Sequence, residues 1–276
     1  MTTSAEMSPT DRPRVFVHLL PSLIPPGSLK GGVAVVVDVL RATTVMTHAL
    51  AHGCEAVIPC AEIDEARAAA AGLPEGTAIL GGERGGLAIE GFDLGNSPGD
   101  YTQEVCEGKT LVMTTTNGTR AILASLEADR VYIASFANRS ATVDELSIQF
   151  AKKDHGHPIH IVCSGTEGFI SLEDSLLAGA IVDGLVKRLV EGPVRNHTLF
   201  GNDEAWMVAL FEPFKRFISL DNPFMPHGLS GLLACGRGGQ NVRRIGLEKD
   251  IPVVAEVDRF PIVAELSRDP LRIVKV

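Results

Sequence analysis

The chain has 276 residues, of which 34 are acidic and 25 are Lys or Arg, so its formal net charge is −9. An acidic surface repels phosphate backbones, which excludes a general nucleic-acid binder but leaves room for a small local anion site. Hydrophobic residues make up 45% of the chain and charged residues 21%, an ordinary globular composition that excludes disorder for most of it.

Residues 1–14 form a polar N-terminal tail, and residues 15–276 are expected to fold as a single compact α/β body. The tail has no apolar segment of the kind found in signal peptides, and the longest strongly apolar stretch, residues 33–37, is ended by Asp38. The five cysteines are odd in number and lack paired short spacings, which indicates reduced thiols. We therefore expect a cytoplasmic protein that does not bind membranes.

The apolar pattern predicts strands that alternate with helices. In chain order it predicts a strand in VFVHLLP, a buried strand in GGVAVVVDVL, a helix over VMTHALAHG, a strand in CEAVIP and a helix over AEIDEARAAAAG. The same order recurs as TLVMT, RAILASLEA, DRVYIAS and a helix in FANRSATVDELSIQFAKK. Residues 33–72 and 109–153 are thus two similar units, either a shared architecture or a pseudo-repeat from an ancient duplication.

A third strand, turn and helix sequence covers residues 160–190. Residues 77–101 contain one strand and then a long stretch rich in Gly, Asn, Ser and Asp, which is uncommon in a compact domain unless it is functional. The sequence further predicts a helix in DEAWMVALFEPFKRF and a last strand in IPVVAEV. These elements predict a layered α/β/α fold with a mixed, largely parallel sheet, as one body or as two similar halves.

Polar side chains stand where the first buried strand ends. Asp38 and Arg41 are followed by Thr43 and Thr44 at the start of a helix. The free N–H groups and partial positive charge of a helix N-terminus favour a phosphate. The alternative is that Thr43 caps the helix while Asp38 pairs with Arg41, and the spacing alone does not decide between the two.

The segment TTTNGT is a second such turn, with Thr116, Asn117, Gly118 and Thr119 as candidate anion ligands. Small hydroxyl residues beside a glycine let backbone amides and side chains converge on an anion. The segment lacks the Gly-Lys-Ser/Thr ending of a Walker loop. The alternative is a Thr-rich helix cap with a glycine in the left-handed conformation, and the spacing alone favours this alternative.

The third turn offers Ser164 and Gly165 after a strand, and then Ser171 and Asp174 at a helix start. The last two have the spacing of a capping box, and an acid at a helix N-terminus is stabilised without any metal. A ligand role and a capping role are therefore both open.

Two further glycine-rich segments carry charged or amide side chains that could bind a ligand. In GGERGG, Glu83 and Arg84 stand between glycine pairs, and glycine is costly in regular structure, so we expect a loop whose charges face a ligand. In GFDLGNSP, Asn96 is a candidate ligand, although a surface turn with an Asx hydrogen bond would also explain it. The arginines of GRGGQNVRR, Arg237, Arg243 and Arg244, are expected to make ion pairs or to hold one small anion.

Taken in order, these turns resemble the 2-phosphosulfolactate phosphatase family. The motifs that carry the resemblance are VVVDVLRATTVMTHAL (35–50), GGERGG (81–86), GFDLGNSP (91–98), TTTNGT (114–119), ASFANRSA (134–141), CSGTEG (163–168) and SLEDSLLAGA (171–180). The resemblance covers about residues 33–180, and the C-terminal part is similar mainly through GLEKDI and VDRFPIV.

The resemblance implies a phosphoric monoester hydrolase that uses Mg²⁺ to convert 2-phospho-3-sulfolactate to 3-sulfolactate and phosphate, a step toward coenzyme M. This small substrate carries three anionic groups, so we expect a metal and at least two cationic side chains, led by Arg41 and Arg84. The alternatives are another small phosphorylated hydroxy acid as substrate, or a non-catalytic binder of an anionic metabolite. A homodimer is expected because this is the commonest oligomer.

The expected roles follow from the chemistry of phosphoryl transfer. Mg²⁺ needs only one or two carboxylates, for which Asp38 and Glu83 lead and Asp174 is third. Arg41 is expected to stabilise the phosphoryl oxygens, while an acid orients the attacking water or Asp38 forms a phospho-enzyme. The residues expected to bind substrate are Arg41, Thr44, Arg84, Asn96, Thr116, Asn117, Gly118, Thr119, Ser164 and Gly165.

Overall fold

The structure is a computed structural model that describes residues 13–151, 157–191, 199–210 and 228–276. The strands of the described residues are β1 (Arg14–His18), β2 (Val33–Val37), β3 (Ala56–Cys60), β4 (Ala78–Arg84), β5 (Leu87–Ala88), β6 (Thr110–Thr114), β7 (Arg130–Ala134), β8 (Ile159–Cys163), β9 (Phe200–Gly201), β10 (Ala264–Arg268) and β11 (Leu271–Lys275). The α-helices are α1 (Ala42–Ala51), α2 (Ile63–Ala71), α3 (Gln103–Cys106), α4 (Gly118–Ala124), α5 (Arg139–Ala151), α6 (Leu172–Glu191), α7 (Asp203–Leu210), α8 (Gly228–Cys235), α9 (Arg237–Arg244) and α10 (Asp250–Val254).

The strands form one sheet in the order β5-β4-β6-β3-β11-β10-β7-β2-β8-β1-β9. Strands β4, β6 and β3 are parallel to one another, as are β7, β2, β8, β1 and β9. The hairpin β10–β11 lies between these two blocks and pairs antiparallel with β7 and β3. The predicted mixed, largely parallel sheet is therefore confirmed.

Helices cover both faces of the sheet because its central strands are buried on both sides. All five residues of β2, VAVVV, are buried. Its alternate residues Val33, Val35 and Val37 pack into one hydrophobic cluster with α6, whereas Ala34 and Val36 pack into another with α1. This alternation produces the predicted α/β/α layers, since successive strand residues point to opposite faces.

The two predicted units each contribute one strand to each parallel block. From the first unit, β2 pairs with β7 and β3 pairs with β6, and both partners come from the second unit. Three successive antiparallel pairings separate the blocks, so the blocks run in opposite directions along the sheet. Neighbouring strands of a sheet are rotated by about 20–25° relative to each other, so the two blocks also differ in orientation because of the accumulated twist. The turn after β6 meets the turn after β2, and Gly118 lies against Asp38 there.

Two sequence predictions at the C-terminus need correction. The predicted strand IPVVAEV is mostly helical, since its first four residues belong to α10. Ile251 and Val254 lie on one face of this helix and pack into the hydrophobic cluster that also contains residues of α6. Pro252 falls in the first turn, where proline is tolerated. The hairpin β10–β11 was not predicted, although its alternating residues around Asp269 and Pro270 are a hairpin signal. Of the predicted helix DEAWMVALFEPFKRF, residues 203–210 form α7 and the remainder lies outside the described residues.

The segment GGER was also predicted wrongly as a loop, because Gly81–Arg84 complete β4. Gly81 and Gly82 pair in register with Met113 and Thr114 of β6. A Cβ atom on Gly82 would collide with the main chain of Thr114. Glycine therefore forms part of this strand because it lets β4 approach β6 closely, which positions the following Glu83.

The cysteines and the helices give two further results. All five cysteines are free, and Cys235 is the exposed one among them. None of the helices within the described ranges combines the length and the apolar character needed to cross a membrane.

Candidate active site

A cavity of about 90 Å³ lies where the carboxyl ends of β2, β4 and β6 face α9. It brings together six of the residues predicted from sequence: Asp38, Arg41, Glu83, Asn96, Thr116 and Asn117. These residues come from the end of β4 and from three separate turns, so the fold assembles the cavity from distant parts of the chain.

Asp38 is buried at the N-terminus of α1. Its Oδ1 accepts a hydrogen bond from the N–H of Ala42 at 3.3 Å, so the carboxylate itself occupies the helix end at which a phosphate was expected. Burial and the nearby carboxylates of Asp174 and Glu83 raise the pKa of Asp38 well above its usual range. Gly118 packs against this carboxylate so closely that a Cβ atom there would come within 2.7 Å of Oδ2.

Glu83 links the turn after β6 to the turn after β4. Its Oε1 accepts a hydrogen bond from the N–H of Thr116 at 2.6 Å, and its Oε2 accepts from the Thr116 hydroxyl at 3.1 Å and from the N–H of Gly86 at 2.7 Å. The anion that the TTTNGT turn receives in this structure is thus a carboxylate of the protein. Asn117, the next residue, is left to line the cavity.

Asp174 joins the ends of β2 and β8 behind the cavity. Its Oδ1 accepts from the N–H of Val39 at 2.9 Å, and its Oδ2 accepts from the hydroxyl of Ser164 at 3.2 Å and the N–H of Gly165 at 3.0 Å. Burial raises the pKa of Asp174 to about 6. These contacts show that Ser164 and Gly165 hold Asp174, which in turn holds the main chain at Val39, the residue after Asp38.

Arg41 points into the cavity and forms a buried ion pair that the sequence did not suggest. Its guanidinium lies 2.7 Å from the Asp250 carboxylate, and the two side chains are 3% and 2% exposed. It also donates to the Gly86 carbonyl at 2.7 Å and to the Ser97 hydroxyl at 3.3 Å. The sequence hypothesis that Arg41 pairs with Asp38 is therefore wrong, and the partner is Asp250.

Three predicted substrate ligands point elsewhere. Arg84 donates to the Ala61 carbonyl at 3.1 Å and to the Thr114 hydroxyl at 2.9 Å, so it ties strands together. The hydroxyls of Thr44 and Thr119 donate to main-chain carbonyls of the preceding turns, at 2.8 Å and 2.9 Å. Both threonines are fully buried, and none of the three residues lines the cavity.

Residues at the cavity that the sequence did not single out come from the C-terminal part. They are Gly238 and Asn241, which line the cavity, and Asp250, which pairs with Arg41. For Asp250, the loosely similar motif GLEKDI was the available signal. The remaining residues carry no local pattern that marks them.

Glu173 lies in the first turn of α6, and its carboxylate packs against Gly236 and Gly238 at the N-terminus of α9. It is 1% exposed, and its Oε2 has no hydrogen-bond partner among the described residues. Burial, followed by the nearby Asp174 carboxylate, raises the pKa of Glu173 to about 7. Ionised Glu173 is therefore destabilising near neutral pH.

The substitution Glu173→Gln tests this electrostatic cost. Because the folded-state pKa is raised from 4.5 to about 7, the wild type loses stability as the pH rises through this range. In EDTA at pH 8 we expect the variant to melt about 3–8 °C above the wild type, and at pH 4.5 to melt at the same temperature. Thermal melts measure this, with the exposed Glu248→Gln as control; a difference that is the same at both pH values would refute it.

The oxygen donors in the cavity suit a hard cation that keeps several water molecules as ligands. Asp38 and Glu83 line the cavity together with Asn96, whose Oδ1 is buried and has no hydrogen-bond partner among the described residues. In the part of the chain that the structure describes, no group of three or more His, Cys, Asp or Glu side chains is arranged to hold a metal ion. One or two carboxylates plus water suit Mg²⁺, whereas a dedicated protein cage is absent from these residues.

Comparison with known proteins gives one consistent result. The model of the 2-phosphosulpholactate phosphatase family matches residues 18–269. A protein of Symbiobacterium thermophilum named "probable 2-phosphosulfolactate phosphatase" is 38% identical over 241 residues, which cover 87% of this chain and 94% of that protein. Proteins with the same name from Prochlorococcus marinus strain MIT 9313 and Caldanaerobacter subterraneus subsp. tengcongensis are 40% and 35% identical, over 83% and 88% of this chain and 87% and 91% of their own lengths.

Proposed function

Because this chain belongs to the 2-phosphosulfolactate phosphatase family, and is thus a phosphoric monoester hydrolase, we propose that it hydrolyses 2-phospho-3-sulfolactate to 3-sulfolactate and phosphate. This reaction would be a step toward coenzyme M. The observation that carries the proposal is one cavity lined by two buried carboxylates, Asp38 and Glu83, together with the guanidinium of Arg41 and the amide of Asn117. Such a set combines the groups that orient water with groups that stabilise phosphoryl oxygens.

We propose that Asp38 and Glu83 hold Mg²⁺ with help from Asn96. All three line the cavity, whereas Asp174 does not. The raised pKa of Asp38 supports this choice, because the repulsion between carboxylates that contributes to it is relieved by a bound cation. When bound, Mg²⁺ would neutralise the phosphoryl oxygens and polarise the phosphorus–oxygen bond.

The chain's own residues then orient and stabilise the reacting groups. Asp38 accepts a proton from the attacking water while the water oxygen bonds to phosphorus, and the ester oxygen leaves with the bond's electron pair and takes a proton from a second water. Arg41 and Asn117 donate to the phosphoryl oxygens as their charge rises. In the second version of the mechanism, an oxygen of Asp38 attacks phosphorus and the ester oxygen leaves with the bond's electron pair and takes a proton from water. A water molecule later cleaves the aspartyl phosphate, which releases phosphate and restores the Asp38 carboxylate.

Phosphate release from a substrate panel tests the proposal. With 2-phospho-3-sulfolactate, 2-phospholactate and 3-phosphoglycerate, we expect the largest kcat/KM for the first, since it presents all three anionic groups. Excess EDTA should remove turnover, and Mg²⁺ should restore it, because the carboxylates cannot neutralise the phosphoryl group by themselves.

Two results would refute parts of this proposal. Equal turnover in EDTA and in Mg²⁺ would refute the metal requirement. A larger kcat/KM for either phospholactate or phosphoglycerate would reassign the substrate to another phosphorylated hydroxy acid.

A further inference from the structure

Arg244 differs from Arg41 in that no carboxylate of the described residues forms an ion pair with it. Arg41 reaches the cavity already paired with Asp250 at 2.7 Å. Arg244 lines the same cavity from α9 and is exposed. It makes no hydrogen bond or ion pair with any described residue. Its charge is therefore available to an anionic ligand.

The helical spacing of α9 places Arg244 and Asn241 on one face. Residues three positions apart are neighbours on a helix surface, and both of these residues line the cavity. Arg243, which lies between them in sequence, is exposed and does not line it. Adjacent arginines of the same helix thus face different surroundings.

Contacts at both ends hold α9 against the rest of the cavity. At its N-terminus, Gly238 packs against the carboxylate of Glu173. Just after its C-terminus, Ile245 lies so close to Gly86 that a Cβ atom on that glycine would come within 2.9 Å of Ile245 Cδ1. Gly86 also binds Glu83 and Arg41. Arg244 is therefore fixed next to the turn that holds the proposed phosphoryl-binding groups.

We propose that Arg244, assisted by Asn241, binds the second anionic group of the substrate, which is the sulfonate in 2-phospho-3-sulfolactate, and so determines specificity. This inference rests on the proposed function. With the phosphoryl group at Asp38 and Glu83, the other end of a small substrate lies toward α9. A planar guanidinium binds a sulfonate through two parallel hydrogen bonds, as it binds a carboxylate or a phosphate.

Steady-state kinetics with the wild type, Arg244→Ala and the matched control Arg243→Ala test the assignment. The two substrates are 2-phospho-3-sulfolactate and 2-phospholactate, which lacks the sulfonate. For Arg244→Ala we expect the KM for the sulfonated substrate to rise about 10- to 100-fold with little change in kcat, the size of a lost charged hydrogen bond that does not change in the transition state. The KM for phospholactate should change less than about 3-fold, and Arg243→Ala should change neither value.

Inhibition by the product 3-sulfolactate provides a second readout that does not require turnover of the sulfonated substrate. Its inhibition constant should rise with Arg244→Ala, remain unchanged with Arg243→Ala, and recover partly with Arg244→Lys, which keeps the charge but not the planar geometry.

The outcomes separate this inference from the proposed function. If wild type hydrolyses the sulfonated substrate and Arg244→Ala behaves like Arg243→Ala, the assignment to Arg244 is overturned and the proposed function stands. If Arg244→Ala raises the KM for both substrates equally, Arg244 binds a group that they share and the sulfonate assignment is overturned. If wild type releases no phosphate from the sulfonated substrate, the proposed function fails and the sulfonate assignment fails with it.

Discussion

Asp38→Asn is expected to lower kcat by about 10³-fold or more, the scale of losing a nucleophile or a general base. The Asp38 side chain lines the cavity and is 6% exposed, so a carboxylate on the protein surface cannot take over its role. Asparagine has the same shape, but it can neither accept a proton from water nor form an acyl phosphate, and it is a weaker ligand for Mg²⁺. Both versions of the mechanism predict this loss.

The fold should not be weakened by the same substitution. Asparagine Oδ1 can accept the hydrogen bond that the N–H of Ala42 donates to Asp38. Because burial and the carboxylates of Asp174 and Glu83 raise the folded-state pKa of Asp38, ionised Asp38 lowers stability at high pH, and the neutral amide does not. In EDTA at pH 8, the variant should melt at or above the wild-type temperature.

Phosphate release and thermal melts on the same preparations separate chemistry from folding. The control is Asp183→Asn, which removes a carboxylate on α6 whose partner Lys187 is 60% exposed, so we expect activity within about 2-fold of wild type. Full activity in Asp38→Asn would refute both versions of the mechanism. A hydroxylamine-sensitive adduct at Asp38 in the wild type would select the phospho-enzyme over direct attack by water.

Local patterns predicted the strand ends of this site well. Five apolar residues followed by Asp38 define a buried strand and the turn after it, and the period change that follows defines a helix. The same reasoning located Asn117 after β6 and Ser164 after β8. Residues that act through their position at a strand end are visible in sequence, because the end itself is encoded locally.

Partners across the fold were not predictable in the same way. Asp250 lies 209 positions from Arg41, and Glu83 lies 33 positions from the Thr116 amide that it binds. Glu83 reaches Thr116 because β4 pairs with β6 in the sheet, and Asp250 reaches Arg41 from helix α10, which is not part of the sheet. Arg84 shows the same limit, since its guanidinium binds carbonyl and hydroxyl groups at the strand ends, although its sequence neighbours suggested a ligand.

The buried pair of Arg41 and Asp250 leads to the largest expected effect on stability. Arg41→Ala leaves the Asp250 carboxylate, which is 2% exposed, with the Ser97 hydroxyl as its remaining described hydrogen-bond donor. An uncompensated buried charge typically costs about 3–5 kcal/mol. We expect the free energy of unfolding to fall by that amount, measured by urea denaturation. We expect kcat/KM to fall at least about 100-fold, because the guanidinium proposed to stabilise the phosphoryl oxygens is lost.

A surface pair provides the matched control for the stability effect. Arg67 and Asp64 lie 3.5 Å apart, with side chains 51% and 96% exposed. Arg67→Ala also removes an arginine from an ion pair, but water solvates the carboxylate that remains, so the expected loss of unfolding free energy is below about 1 kcal/mol.

The double variant Arg41→Ala/Asp250→Ala separates the two roles of Arg41. Removing both charges leaves none buried without a partner, so part of the unfolding free energy lost in Arg41→Ala should return, by about 1–3 kcal/mol. Activity should stay low, because the guanidinium that faces the substrate is still missing. Recovery of both quantities would show that Arg41 acts only by neutralising Asp250, whereas recovery of neither would show that the pair does not dominate local stability. Recovery of stability alone is the result expected if the same arginine neutralises a buried acid and stabilises the phosphoryl oxygens.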